Sequence, residues 1–178
     1  MIDAATEREH LLLQIEAQVD PEYQAGVSMA VPTGLNVYGV RVPRLRAIAR
    51  DWQRAHKGID LGDLVTVADA LWDGGSREER VLATVLFQRY QRHIPALDWA
   101  HFDRWRRGLD NWEVTDQMGV RVLGPWVLAD PGARTGHLWD LIAEEDVWSR
   151  RLALVATVWL NRGYDGITYP DLTLGLVD

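Results

Sequence analysis

The sequence predicts an all-α chain, an α-α superhelix (solenoid) assembled from pairs of helices, and three observations predict it. Apolar residues recur at helical spacing along most of the 178 residues. Helix-start and helix-stop residues divide that pattern into about nine segments of 10–18 residues with connections of 2–6. No stretch alternates with period two for more than a few residues, so no sheet is expected.

The elements follow in order. Ile2, Leu11, Leu12, Ile15 and Val19 mark a first helix over 2–18, stopped by Asp20-Pro21. Residues 21–42 hold Gly26, Pro32, Gly34 and Gly39, which argue against any long element there. Pro43 opens the next helix, where its missing N–H costs nothing, with Leu45, Ile48, Ala49 and Trp52 on one face. Asp60 caps a helix over 61–72, and Gly74-Gly75 ends it. Ser76-Arg77-Glu78-Glu79 reads as a capping box ahead of Val81, Leu82, Val85, Leu86 and Tyr90. Asp98 starts a helix to about Leu109, and Asn111 caps another to about Ala129. Pro131 begins a helix to Glu145, Asp146 caps an apolar one over 147–162, and a last turn follows Tyr169-Pro170.

Such helices fit a bundle or a solenoid. The steps from Trp72-Asp73 to Asn111-Trp112 to Val147-Trp148 are about 36–40 residues, close to the HEAT-repeat period of roughly 40, which favours a solenoid of HEAT-like repeats. A single domain over 1–178 is expected, with one concave face left for a partner.

Composition narrows the chemistry. With no cysteine, the chain has no disulfide, no thiol nucleophile and no cysteine-bound zinc. No apolar run reaches the roughly 20 residues that span a bilayer, and the acidic start is unlike a signal peptide, so a cytoplasmic protein away from membranes is expected. The net charge of −7 is unevenly spread. Residues 1–30 carry one basic and six acidic groups, residues 41–107 thirteen and nine, and residues 108–178 five and eleven. Phosphate binding needs only a local basic stripe within a Debye length of about 8–10 Å, and the middle segment could supply it. The five histidines are scattered, without zinc-binding spacing, and no glycine-rich phosphate loop occurs, so neither metal nor cofactor is expected.

Three segments could carry a site. In Asn111-Trp112-Glu113-Val114-Thr115-Asp116-Gln117-Met118-Gly119, Trp112 and Asp116 are four apart and share a helix face. Gly119 would leave room beside the carboxylate; the other reading is an exposed helical acid paired with Arg121 or with an arginine of a neighbouring helix. In Asp146-Val147-Trp148-Ser149-Arg150-Arg151 an aromatic and two guanidinium groups occupy the first turns of a helix, a setting that suits phosphate. Against that, Trp148 could pack in the core while Arg150 and Arg151 pair with Glu144 and Glu145. Arg104-Trp105-Arg106-Arg107 is a dense basic patch that fits a phosphate backbone or an ordinary solvated face.

With these residues in view, the chain resembles the AlkD-type DNA alkylation repair glycosylases, which are HEAT-like solenoids. The resemblance runs from about residue 20 to the end. It rests on Tyr38-Gly39-Val40-Arg41-Val42-Pro43-Arg44-Leu45-Arg46, Leu71-Trp72-Asp73 with Glu78-Glu79-Arg80, Asn111 to Asp116, and Val147 to Arg151. It implies hydrolysis of the N-glycosidic bond of N3- and N7-alkylated purines in double-stranded DNA, without an extrahelical base in a pocket. It also implies Asp116 as the catalytic aspartate, Trp112 beside the lesion's deoxyribose, and Arg151 on the DNA backbone. Trp148 and Arg150 would join the DNA contacts, with Arg162 standing in near Trp159 for a basic cleft residue. Family members normally carry a further helix pair with another aromatic and basic contact, which this sequence is expected to lack.

The chemistry agrees with those roles. An alkylated purine already carries positive charge and leaves without a strong general acid, so the barrier is the oxocarbenium-like sugar. A carboxylate stabilises that charge and orients water, and a tryptophan face adds about 1–2 kcal/mol in a dry site. The competing expectations are a DNA-binding solenoid without catalysis and a protein-binding HEAT-like scaffold; a monomer is expected in each case.

Overall fold

The structure is a computed structural model that describes residues 1–163, 166 and 168–177. Among these the chain is all-helical, as expected of an α-α helical-repeat fold, and its one strand-like contact is an isolated parallel bridge between Asn36 and Ser76. The helices fall into two compact units, Met1–His93 and Ile94–Asp178.

The first unit holds α1 (Ala4–Glu16), α2 (Pro21–Ala30), α3 (Val42–Ala55), α4 (Leu61–Trp72) and α5 (Arg77–Arg89). Helix α2 departs from the expectation of a loose 21–42 segment. Asp20-Pro21, read as a stop for α1, is also a start: Asp20 accepts a hydrogen bond from the Tyr23 N–H at 3.0 Å, and Pro21 takes the first helical position. Gly26 sits in open space and does not interrupt the helix. The remaining start signals hold. Asp60 caps α4 through the Asp63 N–H, and Ser76 caps α5 through the Glu79 N–H while the Glu79 carboxylate accepts from the Ser76 hydroxyl at 2.6 Å. The apolar face of α3, with Leu45, Ile48, Ala49 and Trp52, is buried as its spacing predicts, and α3 and α4 both pack on α5.

A buried ionic network joins α5 to the loop that precedes α3. Glu78, fully buried, accepts hydrogen bonds from the N–H groups of Tyr38, Gly39 and Val40 at 3.0–3.1 Å and from Arg77 at 2.8 Å. Arg77 also donates to the Val40 carbonyl. The loop can turn its N–H groups inward because Gly39 adopts φ +82°; a Cβ there would also lie 2.4 Å from that of Gln24. Glu79 beside it takes the Arg8 guanidinium at 2.8 Å.

The second unit contains α6 (Trp99–Arg106), α7 (Trp112–Met118), α8 (Gly124–Ala129), α9 (Pro131–Ile142), α10 (Val147–Leu160) and α11 (Pro170–Gly175). Between α7 and α8 the helix continues through one π turn, Gly119–Leu123. A 3-10 turn over Gln91–Ala96, unforeseen in the sequence, leads into the unit. Helix α10 is its centre and packs against α7, the π turn, α8 and α9. Several tryptophans serve this packing. Trp126 is buried, donates its indole N–H to the Leu97 carbonyl at 2.9 Å, and lies against Trp99, Phe102 and His137.

Candidate active site

The site begins with a helix start. Asn111 is buried; its side-chain oxygen accepts from the Val114 N–H at 2.9 Å, and its carbonyl accepts from the Thr115 hydroxyl at 2.7 Å. These bonds fix the first turn of α7, and with it the direction of Trp112. Trp112 is 40% exposed, unusual for so large an apolar side chain, and Asp116 stands one helical turn along.

Asp116 is joined to Arg151 of α10 by two parallel hydrogen bonds, Nε to Oδ1 at 2.7 Å and Nη2 to Oδ2 at 2.8 Å. This is the bidentate fork that fits a guanidinium to a carboxylate. The carboxylate side chain is 30% exposed and the guanidinium side chain 42%, so the pair lies at the surface with faces open to solvent. The hydrogen bond to Asp116 holds the Arg151 guanidinium above its ordinary pKa, against the opposing effect of partial burial.

Close helix packing brings the two together. A Cβ on Gly119 would lie 2.9 Å from Val155 Cγ1, and one on Gly124 would lie 2.7 Å from the Ala156 carbonyl oxygen. The space at Gly119 is therefore filled by Val155 of α10, not left open beside the carboxylate as the sequence suggested. Gly119 and Gly124 are five apart, a spacing that a regular helix would turn by about 140°. The π turn restores both to the side facing α10. Arg151, one turn before Val155, then reaches Asp116. Gly124 was missed in the sequence; the Gly124-Pro125 pair inside an apolar helix is the signal that could have marked it.

The other expected residues are distributed as follows. Trp148 is half-buried on the α10 stripe, one turn before Arg151. Arg150 turns to the loop between α9 and α10 and donates to the carbonyls of Glu144 and Glu145 at 2.9 and 2.7 Å. Arg162 is exposed beyond the end of α10, its guanidinium 5.0 Å from the Trp159 ring centre, at the opposite end of that helix from Arg151. In the basic patch at 104–107, Arg106 pairs with Asp103 and Glu144 and donates to Ser149, while Arg107 also pairs with Asp103. That patch is thus largely charge-compensated. Arg121, the alternative partner for Asp116, bonds Gln117 instead.

Among the described residues no three His, Asp or Glu side chains gather to hold a metal ion, and no helix is long and apolar enough to cross a membrane. No curated protein matches the chain. The model of one protein family does match, over residues 11–178, a span that contains the Asp116–Arg151 pair, the Asn111 cap and the Glu78 network; the chain belongs to the family of DNA alkylation repair enzymes.

Proposed function

We propose that this chain is an alkylpurine DNA glycosylase of the AlkD type, hydrolysing the N-glycosidic bond of N3- or N7-alkylated purines in duplex DNA as a monomer and without a cofactor. The observation that carries the reading is a surface carboxylate, Asp116, one helical turn from the exposed face of Trp112 and held in a two-point grip by Arg151.

The lesion's purine is cationic. When the C1′–N bond breaks, the electron pair goes to the base, which departs neutral, and C1′ is left electron-poor. The Asp116 carboxylate stabilises that charge and accepts a hydrogen bond from the water that adds to C1′ and gives up a proton, leaving an abasic site. The Trp112 face shields the sugar and adds cation–π attraction. Arg151 uses two of its five N–H donors on Asp116, so three remain for a backbone phosphate. One guanidinium can then fix the carboxylate and the strand together.

Release of 7-methylguanine or 3-methyladenine from methylated duplex DNA tests this. Asp116→Asn should abolish release and leave duplex binding intact, since Arg151 keeps its charge. Equal release by the wild type and the Asn variant would remove Asp116 from the mechanism. Trp112→Leu should slow release about tenfold, in keeping with a loss of about 1–2 kcal/mol.

A second reading, DNA binding without catalysis, draws on the same ion pair, because a carboxylate matched by a guanidinium offers less charge to a cationic sugar. Salt-dependent duplex binding by the wild type with no base release favours it.

A further inference from the structure

The basic residues of the middle of the chain gather somewhere other than the 104–107 patch. The C-terminal end of α3, the C-terminal end of α5 and the start of the 3-10 turn enclose a cleft of about 670 Å³. Arg54, Lys57, Arg89 and Arg92 line it together with Gln53 and Gln88, and no carboxylate does so among the described residues.

Their bonding shows how little of this charge is neutralised. Arg54 pairs with Asp51 at 2.9 Å. Arg89 donates to the Gln53 side-chain oxygen at 2.8 Å, a neutral partner. Arg92 donates to the Lys57 main-chain carbonyl at 3.1 Å and lies against the His93 ring. Among the described residues the Lys57 ammonium has no hydrogen bond or ion pair, and it is the single lysine of the sequence. Arg54 and Arg89 stand in the last turns of their helices, where a cation offsets the helix dipole. That accounts for two of the four, and only through a surface effect of about 0.3–1 kcal/mol. It leaves Lys57 and Arg92, beyond the helix ends, unexplained. Three cations without a carboxylate partner among the described residues, set in one concave surface, match an extended ligand with several phosphates.

We propose that this cleft binds the phosphodiester backbone of duplex DNA, at a place separate in sequence from the Asp116 site. The proposal rests on the chain handling DNA, and not on base release. Binding is electrostatic and sequence-independent: each phosphate contacted releases counterions, so affinity falls with salt in proportion to the contacts made.

The test is binding of an undamaged fluorescent duplex across a salt series, by anisotropy, with the full chain. Lys57→Gln/Arg92→Gln should lower the slope of log affinity against log salt by about 1–2, as each lost phosphate contact removes about 0.9. Lys57→Arg/Arg92→Lys keeps both charges and should keep the wild-type slope. An unchanged slope in the glutamine pair overturns the proposal. So does a charge-preserving pair that behaves like the glutamine pair, because the loss would then come from the bond between Arg92 and the Lys57 carbonyl. Inorganic tripolyphosphate separates backbone from free polyphosphate. The expected result is that unlabelled duplex competes far better at equal phosphate; tripolyphosphate binding that depends on Lys57 and Arg92, with no effect of either on duplex binding, overturns a backbone site. A slope that shifts as expected in a protein that releases no base leaves this proposal standing and removes the glycosylase reading. Asp116-dependent release with an unchanged slope does the reverse.

Discussion

At the scale of single side chains, two carboxylates show what a partner decides. Asp116 and Arg151 meet at the surface, where an ion pair contributes little to stability, about 0–1 kcal/mol. Arg151→Lys keeps the charge but loses the two-point geometry, so stability should hardly move while base release falls several-fold; an unaltered rate would show that orientation of the carboxylate is unimportant. Glu78 is the opposite case. It is fully buried and binds three main-chain N–H groups and Arg77, so Glu78→Ala takes the acceptor from three donors and a carboxylate from the buried Arg77 guanidinium. Denaturant unfolding should show a loss of about 3–5 kcal/mol. Residue types and spacing singled out Asp116 and Trp112, but they left the carboxylate's partner open between Arg121 and a neighbouring helix. Arg121 turns to Gln117, and the partner of Asp116 comes from α10, a tertiary contact that spacing along one helix does not specify. Arg150 and Arg151, adjacent in sequence, were equivalent there; about 100° of helix rotation sends one to loop carbonyls and the other to Asp116.

Among the helices and turns, most boundaries were written in local chemistry. Asp60, Ser76, Asn111 and Asp146 each accept the hydrogen bond expected of a cap, because a cap involves only three or four consecutive residues. The π turn was not legible, since its cause lies in α10: the extra residue is kept because it faces both Gly119 and Gly124 to that helix. Two substitutions probe it. Gly119→Ala meets a valine methyl at 2.9 Å, and a side chain has some freedom to yield; Gly124→Ala meets a main-chain oxygen at 2.7 Å, which does not. Both should destabilise by about 1–3 kcal/mol, with Gly124→Ala the larger. Val155→Ala removes that methyl and should relieve Gly119→Ala in part in a double-mutant cycle, the Val155 Cβ and the Ala156 N remaining at 3.1 and 3.3 Å, and leave Gly124→Ala unrelieved. Equal costs, or rescue of both, would mean that the helices shift as one body.

Over the whole molecule, net charge is a poor guide to partner. The chain is at −7, yet four cations are concentrated in one cleft of the first unit while the Asp116–Arg151 pair stands in the second. Holding the strand and breaking the bond would therefore be separable. Lys57→Gln/Arg92→Gln should raise the enzyme concentration needed for half-maximal base release several-fold, with the single-turnover rate at saturation kept within twofold. A fall in the saturated rate itself would tie the cleft to the chemical step. The basic excess of the middle segment pointed to this region, but the cleft itself was not legible in the sequence, because it is assembled from residues 53–57 and 88–92, two stretches that α4 and most of α5 separate along the chain.

The lone lysine has a practical side. Its ε-amine is the one side-chain primary amine in the sequence, exposed and without a hydrogen-bond or ion-pair partner among the described residues, so an amine-directed acylating reagent would modify one side chain. Peptide mass analysis distinguishes that adduct from one on the α-amino group. Slower acylation of Lys57 in the presence of duplex DNA would footprint the cleft directly, with no mutation and no labelled nucleic acid.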